Sequence, residues 1–238
     1  MDFDNPFVRL AMGVAFGAEL GTPIPSRLCS FAARLLGCDG GAITMAYTHP
    51  ERVTLCTTDE TAKVLEDSQD VTGQGPGPDA FSTGDYARFD IVRCDGADPR
   101  WPLLDSDTLT ALAPVVVHAI PMVYAERVLG VLTLHQRGVG AHIDLTAAPV
   151  VARMVGVALL AHRPTSEDLG EGPWTERDEV HQATGMVVAQ LRLPEGDALA
   201  LIRAHAYSHD QTVGSSAHAV ISRTLTFSTT PDREIETT

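Results

Sequence analysis

The stretch that decides the fold runs Val116-Val117-His118-Ala119-Ile120-Pro121-Met122-Val123-Tyr124, then Ala125-Glu126-Arg127, then Val128-Leu129-Gly130-Val131-Leu132-Thr133-Leu134-His135. Two runs rich in β-branched residues, joined by three residues, read as antiparallel strands. Further toward the N-terminus, Gly41 to Tyr47 and Arg52 to Thr57 alternate apolar and polar residues around His49-Pro50-Glu51 and predict a second hairpin. Helical periods surround these strands. Pro6 to Leu20 and Ser26 to Leu36 precede them, the second with Leu28, Phe31, Ala32 and Leu35 on one stripe behind a serine cap. Glu60 to Ser68 and Thr108 to Ala113 are short helices, the latter capped by Asp105 or Asp107. Asp144 to His162 closes the region with Val151, Met154, Val155, Ala158 and Leu159 on one face. Helices, a strand meander and a closing helix define an α+β sheet domain.

Past that helix the text changes. Arg163 to Pro173 concentrates proline, glycine and acidic residues, as an exposed linker does. The chain therefore divides into a sheet domain over 1–162, whose 143–162 segment is the closing helix, a linker over 163–173, a three-helix domain over 174–227 and a disordered tail over 228–238. The first of the three helices starts at a Thr175 cap, keeps Val180, Ala183, Val187 and Leu191 inward and stops before Pro194. The second starts around Pro194 with Ala198, Leu201, Ile202 and Ala206 inward, and the third spans Val213 to Phe227. So small a core must lean on a partner or on the first domain.

The 238 residues are 44% hydrophobic and 20% charged, a globular balance. Lys+Arg is 17 against 31 Asp+Glu, for a net charge of −14. That sign excludes a protein that coats duplex nucleic acid by neutralising many phosphates. Cys29, Cys38, Cys56 and Cys94 form no CxxC pair and read as buried, reduced thiols. The acidic start Met1-Asp2-Phe3-Asp4 is unlike a secretory signal, and the apolar run Leu145 to Ala161 is short and carries Arg153 and Pro149. The expected location is cytoplasmic, with no membrane partner.

Several motifs invite a chemical reading. Gly73-Gln74-Gly75-Pro76-Gly77-Pro78 has the glycine density of a phosphate cradle, but its prolines remove backbone donors and no Lys-Ser/Thr follows. A loop across the mouth of a ligand pocket, with Gly73, Gly75 and Gly77 as candidate contacts, is the better reading. His205 and His209 are spaced as metal ligands without a third, so no metal or cofactor is expected. His118 and His135 lie on apolar strands with no nucleophile elbow and read as core or pocket histidines; no catalytic residue is expected.

The run Glu176-Arg177-Asp178-Glu179-Val180-His181-Gln182-Ala183-Thr184-Gly185-Met186, followed by Ile202-Arg203-Ala204-His205-Ala206-Tyr207, resembles the ANTAR domain, a three-helix RNA-binding module of transcription antiterminators. Gly73 to Gly84, and the hairpin Ile120-Pro121-Met122 with Arg127-Val128-Leu129-Gly130, resemble the GAF sensors joined to such modules in actinobacteria. The resemblance implies a homodimeric, signal-responsive regulator of antitermination that binds paired RNA stem-loops, with an unknown small ligand or protein at the GAF part. Looped-out bases stack and hydrogen-bond on a small helical face, so few charges suffice. Thr184 and Gly185 keep that face low, Ala183 sits beside them, and Arg177, Gln182, Arg203 and Arg223 are its donors. The alternative is a helical interaction or dimerisation module without RNA, in keeping with four arginines against seven acidic residues between Glu171 and Phe227.

Overall fold

The computed structural model describes residues 22–48, 51–91, 98–104, 107–161, 173–229 and 235–237. The expected helix Pro6 to Leu20, residues 163–172 of the expected linker, Asp105 and Cys94 lie outside them.

Helix α1 (Ile24–Leu35) starts behind Pro23, with Pro25 in its first turn, where a missing N–H costs nothing. Ser26 is therefore inside the helix rather than its cap. Strands β1 (Gly40–Thr48) and β2 (Glu51–Thr57) pair antiparallel, followed by α2 (Glu60–Thr72). Helix α2 is longer than the expected Glu60 to Ser68. Asp59 Oδ1 accepts from Ala62 N at 2.8 Å at its start, and Gly73, at φ 66°, ends it in a left-handed turn. The glycine-proline stretch is a second correction, since its second half, Pro76 to Pro78, belongs to α3 (Pro76–Thr83), whose cap is Gly75 at φ 135°.

Strand β3 (Ala87–Ile91) is an element the sequence reading lacked. Helix α4 (Asp107–Leu112) leads to the hairpin β4 (Val115–Tyr124) and β5 (Arg127–Arg137). Its connection is two residues rather than three. Ala125 and Glu126 both take positive φ, 48° and 64°, as a two-residue hairpin turn with the twist of its strands demands. The sheet order is β2-β1-β5-β4-β3, every pair antiparallel. At its centre Gly130 faces Met45, and a Cβ there would lie 2.3 Å from Thr44 O, so only glycine lets β1 and β5 approach.

Strand alternation splits the domain into two layers around the sheet. On one face α1 and α5 (Ala148–Ala161) bury Leu28, Cys29, Ala32, Val151 and Val155 against Ile43, Met45, Ile120, Met122, Leu132 and Leu134. On the other face α2, α3 and the segment around Trp101 and Leu104 cover Val115, Val117, Ala119 and Val131. The α5 residues expected on one face, Val151, Met154, Val155, Ala158 and Leu159, thus pack on the domain's own sheet.

The C-terminal part folds as α6 (Pro173–Leu191), α7 (Glu195–Ser208) and α8 (Val213–Ile221), a three-helix bundle. Its core is small: Ala183, Val187, Ala198, Ile202, Val213, Ala217 and Val220, closed by Leu225 and Phe227. Helix α8 stops at Ile221, short of the expected Phe227, because Ser222 caps it and Arg223 turns to φ 61°. Phe227 instead opens strand β6 (Phe227–Thr229), which pairs with β7 (Ile235–Thr237) where a disordered tail was expected. The bundle is docked: α6 lies along the edge strand β2, and α7 and α8 lie on α2. A helix over an edge strand shields backbone groups that would otherwise pair with another chain.

Candidate functional site

The sheet face beneath α2 carries buried polar chemistry. Glu66, on the inner side of α2, accepts from Thr44 Oγ1 at 2.8 Å and from Gln69 Nε2 at 3.1 Å. Gln69 in turn accepts through Oε1 from Gly77 N at 2.7 Å, and a Cβ on Gly75 would lie 2.7 Å from the same side chain. The glycines therefore serve close packing of α3 on α2. Gly75 and Gly77 are buried against the protein itself, not presented to a ligand, and Gly73 is an exposed helix terminator. Beside this network His135 Nε2 donates to Asp59, 3.0 Å from both carboxylate oxygens. The buried His135 Nδ1 and Thr133 Oγ1, two residues apart on one strand face, have no hydrogen-bond partner among the described residues. Orphan polar atoms of this kind mark where a small molecule or water completes the structure.

On the opposite face a second histidine is fully engaged. Gln136 Nε2 donates to Gly37 O at 2.8 Å, which turns its Oε1 toward His118 Nε2 at 3.0 Å. His118 Nε2 then carries the proton, and Nδ1 accepts from the Tyr86 hydroxyl at 2.7 Å. Burial, foremost, pushes the His118 pKa below its ordinary 6.5 and keeps the ring neutral. Tyr86 also lines a groove of about 770 Å³ with Ile120, Pro121, Tyr124, Val150 and Arg153, at the outer side of α5.

Comparison with known families matches residues 26–159 to the GAF domain. The chain belongs to the GAF domain family. That match spans α1 through α5 and so covers the sheet and both of its helical layers. No curated protein matches the chain. A GAF domain is a ligand-sensing or signalling module, which suits a sheet face that holds Glu66, Gln69, Thr133 and His135 away from solvent.

The C-terminal residues singled out by sequence are dispersed by the fold. Ala183 and Thr184 are buried: Ala183 packs in the bundle core, and Thr184 Oγ1 donates back to Val180 O at 2.7 Å. A buried side chain cannot face RNA, so these two shape the helix rather than the surface. Gln182, Gly185 and Arg223 are exposed, and open space surrounds the position of a Gly185 Cβ. Arg177 lies in the first turns of α6, its side chain outside the described residues. Arg203 points into the seam with the GAF domain, where Nη2 donates to Asp70 Oδ1 at 3.2 Å; the two side chains are 23% and 41% exposed. Its Nε finds no acceptor among the described residues. Val71, the neighbour of Asp70, packs into the bundle's apolar cluster.

No group of three His, Cys, Asp or Glu among the described residues is placed to hold a metal ion. His205 and His209 stack at 4.0 Å, and burial beside a second imidazole lowers the His205 pKa. Two thiols are held protonated by their surroundings. Burial pushes Cys38 up to about 12, and a hydrogen bond with Cys56, followed by burial, raises Cys29 well above its usual value. No helix among the described residues is long and apolar enough to cross a membrane.

Proposed function

We propose that the protein is a cytoplasmic, non-catalytic, signal-responsive RNA-binding regulator of antitermination, acting as a dimer on paired stem-loops. One observation carries the sensor-to-output part of this reading: α2 faces both halves of the molecule. Its Glu66 and Gln69 belong to the buried network on the GAF sheet, while Asp70 and Val71, one residue on, engage the helical bundle. A ligand that reorganises the first pair bears directly on the second.

The RNA part rests on the resemblance of Gln182 to Met186 and Arg203 to Ala206 to an RNA-binding module, and on three helices at the positions that resemblance implies. The accessible surface is Gln182, Gly185 and Arg223, with Arg203 added when the seam opens. Dimerisation falls to the outer stripe of α5. Val150, Val157 and Leu160 are 38%, 38% and 47% exposed, at helical spacing on a helix whose other side is already buried. Arg153 lies on that stripe, and Asp85 and Glu126 line the same groove, so a two-fold pairing can match opposite charges.

The intact chain, titrated at low salt with an RNA carrying two adjacent hairpins, tests the proposal. Binding that weakens in Arg223→Ala, with the oligomeric state unchanged, supports it. No shift of the RNA by a chain that still dimerises supports the other reading, a helical interaction module, which the intramolecular Asp70–Arg203 pair favours.

A further inference from the structure

The seam between the GAF domain and the bundle is incompletely filled. A cavity of about 520 Å³ separates Val64, Asp67, Ser68, Val71 and Thr72 of α2, with Leu103 and Leu104, from Ala206 and Tyr207 of α7 and Asp210, Gln211 and Thr212 of the turn that follows. This is within the size range of small-molecule sites, about 300 to 1,000 Å³, and such sites favour the junctions between structural units. Its walls are apolar at Val64, Val71, Leu104 and Ala206. Leu103 and Tyr207, 47% and 53% exposed, stand at the rim as large side chains that gain by being covered.

The charges select the occupant. Asp67 is paired with Lys63 one helical turn away, and the neighbouring Asp70 is paired with Arg203. Asp210 has no ion pair among the described residues. Among the described residues no lysine, arginine or histidine lines the cavity. The backbone fixes Asp210 in place: it sits at φ 52°, its N–H donates to Tyr207 O, and the next N–H donates to Ala206 O at 2.9 Å. Among the described residues the cavity thus has one carboxylate outside any ion pair, the hydroxyls of Ser68, Thr72 and Thr212, and an aromatic ring beside an apolar floor.

We propose that this seam binds a small organic monocation, an amine with an apolar or aromatic body. Its ammonium group pairs with Asp210 and the hydroxyls, its body lies on Val64, Val71 and Leu104, and Tyr207 covers it. Because the walls come from both halves, the ligand binds only the docked arrangement and stabilises it by linkage. The site stands apart from the buried GAF network and does not depend on RNA binding.

The test uses the intact protein and phenethylamine as the probe, with binding followed by calorimetry and by NMR shifts of α2 and α7. The expected result is saturable binding that falls roughly tenfold or more in Asp210→Asn, a substitution that keeps a residue tolerant of positive φ. Tyr207→Ala weakens it as well, and phenylacetate, of the same shape and opposite charge, does not compete. The proposal is overturned by no saturable binding up to about 10 mM, the weak end of specific recognition, by phenylacetate binding as well as the amine, or by unchanged affinity in Asp210→Asn.

Discussion

The two halves of the chain are built on different cores. The GAF domain closes on itself: Ile43, Met45, Ile120, Met122, Leu132 and Leu134 are almost wholly buried between the sheet and the helices α1 and α5. The bundle relies on Ala183, Ala198, Ala206 and Ala217, with Val187, Ile202, Val213, Val220, Leu225 and Phe227 as its larger side chains, and takes Val71 from the GAF domain. Alanine brings helices close but buries little area, and buried apolar area at roughly 25 cal/mol per Å² is what stabilises a small domain. The difference teaches that the GAF domain is the scaffold and the bundle a guest on it.

The largest effect that could break this contrast is Leu134→Ala. It should cost about 2 to 5 kcal/mol and carry the bundle down with it, giving one transition in chemical denaturation. A bundle that stays folded while the sheet melts would reverse the assignment of scaffold and guest. Next comes Val71→Asp, which places a charge in the seam. We expect hydrogen exchange to accelerate in α7 and α8 while β4 and β5 remain protected, because the stored loss is local. Uniform acceleration through the sheet would mean that the two halves are one cooperative core.

Smaller still is the stripe on α5. Val157→Glu should lower the apparent mass in sedimentation toward that of a monomer, with little change in melting temperature, since the residue is part-exposed in the single chain. A pH profile gives a finer comparison. His118 and His205 have pKa values lowered by burial, so the unfolded chain binds more protons than the folded one between those values and the ordinary 6.5. Stability is then highest above pH 6.5 and falls as the solution is acidified below it. Replacing His118 by Gln, which keeps a side chain able to bond Tyr86, should flatten the GAF part of that slope; an unchanged slope would move its origin elsewhere.

Much of the fold was legible in the chain because it follows from local alternation. The runs Val116 to Tyr124 and Val128 to His135 are strands by their β-branched content, and Val180, Ala183, Val187 and Leu191 mark a helix by period. Strand β3 escaped because Ala87-Arg88-Phe89-Asp90-Ile91 is an edge strand, half-buried, with an exposed Arg88–Asp90 ion pair and no strong apolar run. The glycine stretch was misread for a different reason. Glycine density signals close approach without saying to what, and here the approach is to Gln69 rather than a ligand. That the small bundle leans on something was legible, but the residues of the seam were not: Asp70 and Arg203 are 133 positions apart, and their meeting depends on how two folded units dock. Thr184 shows the same limit at short range: the helical period already turns Ala183 inward, but it does not show that Thr184 is buried beside it while Gly185 stays outside.

The central claim is that the GAF domain holds an RNA-binding bundle through α2, and Asp70→Asn tests it most directly. The pair is only part-buried and still partly screened by solvent, so it contributes on the order of 1 kcal/mol and the fold should survive its loss. Fluorescence anisotropy of a labelled paired-hairpin RNA, with the intact chain at low salt, should then show tighter binding by Asp70→Asn than by the unaltered protein, because Arg203 is released. The same weak or absent binding in both proteins, with the dimer intact, would contradict the account.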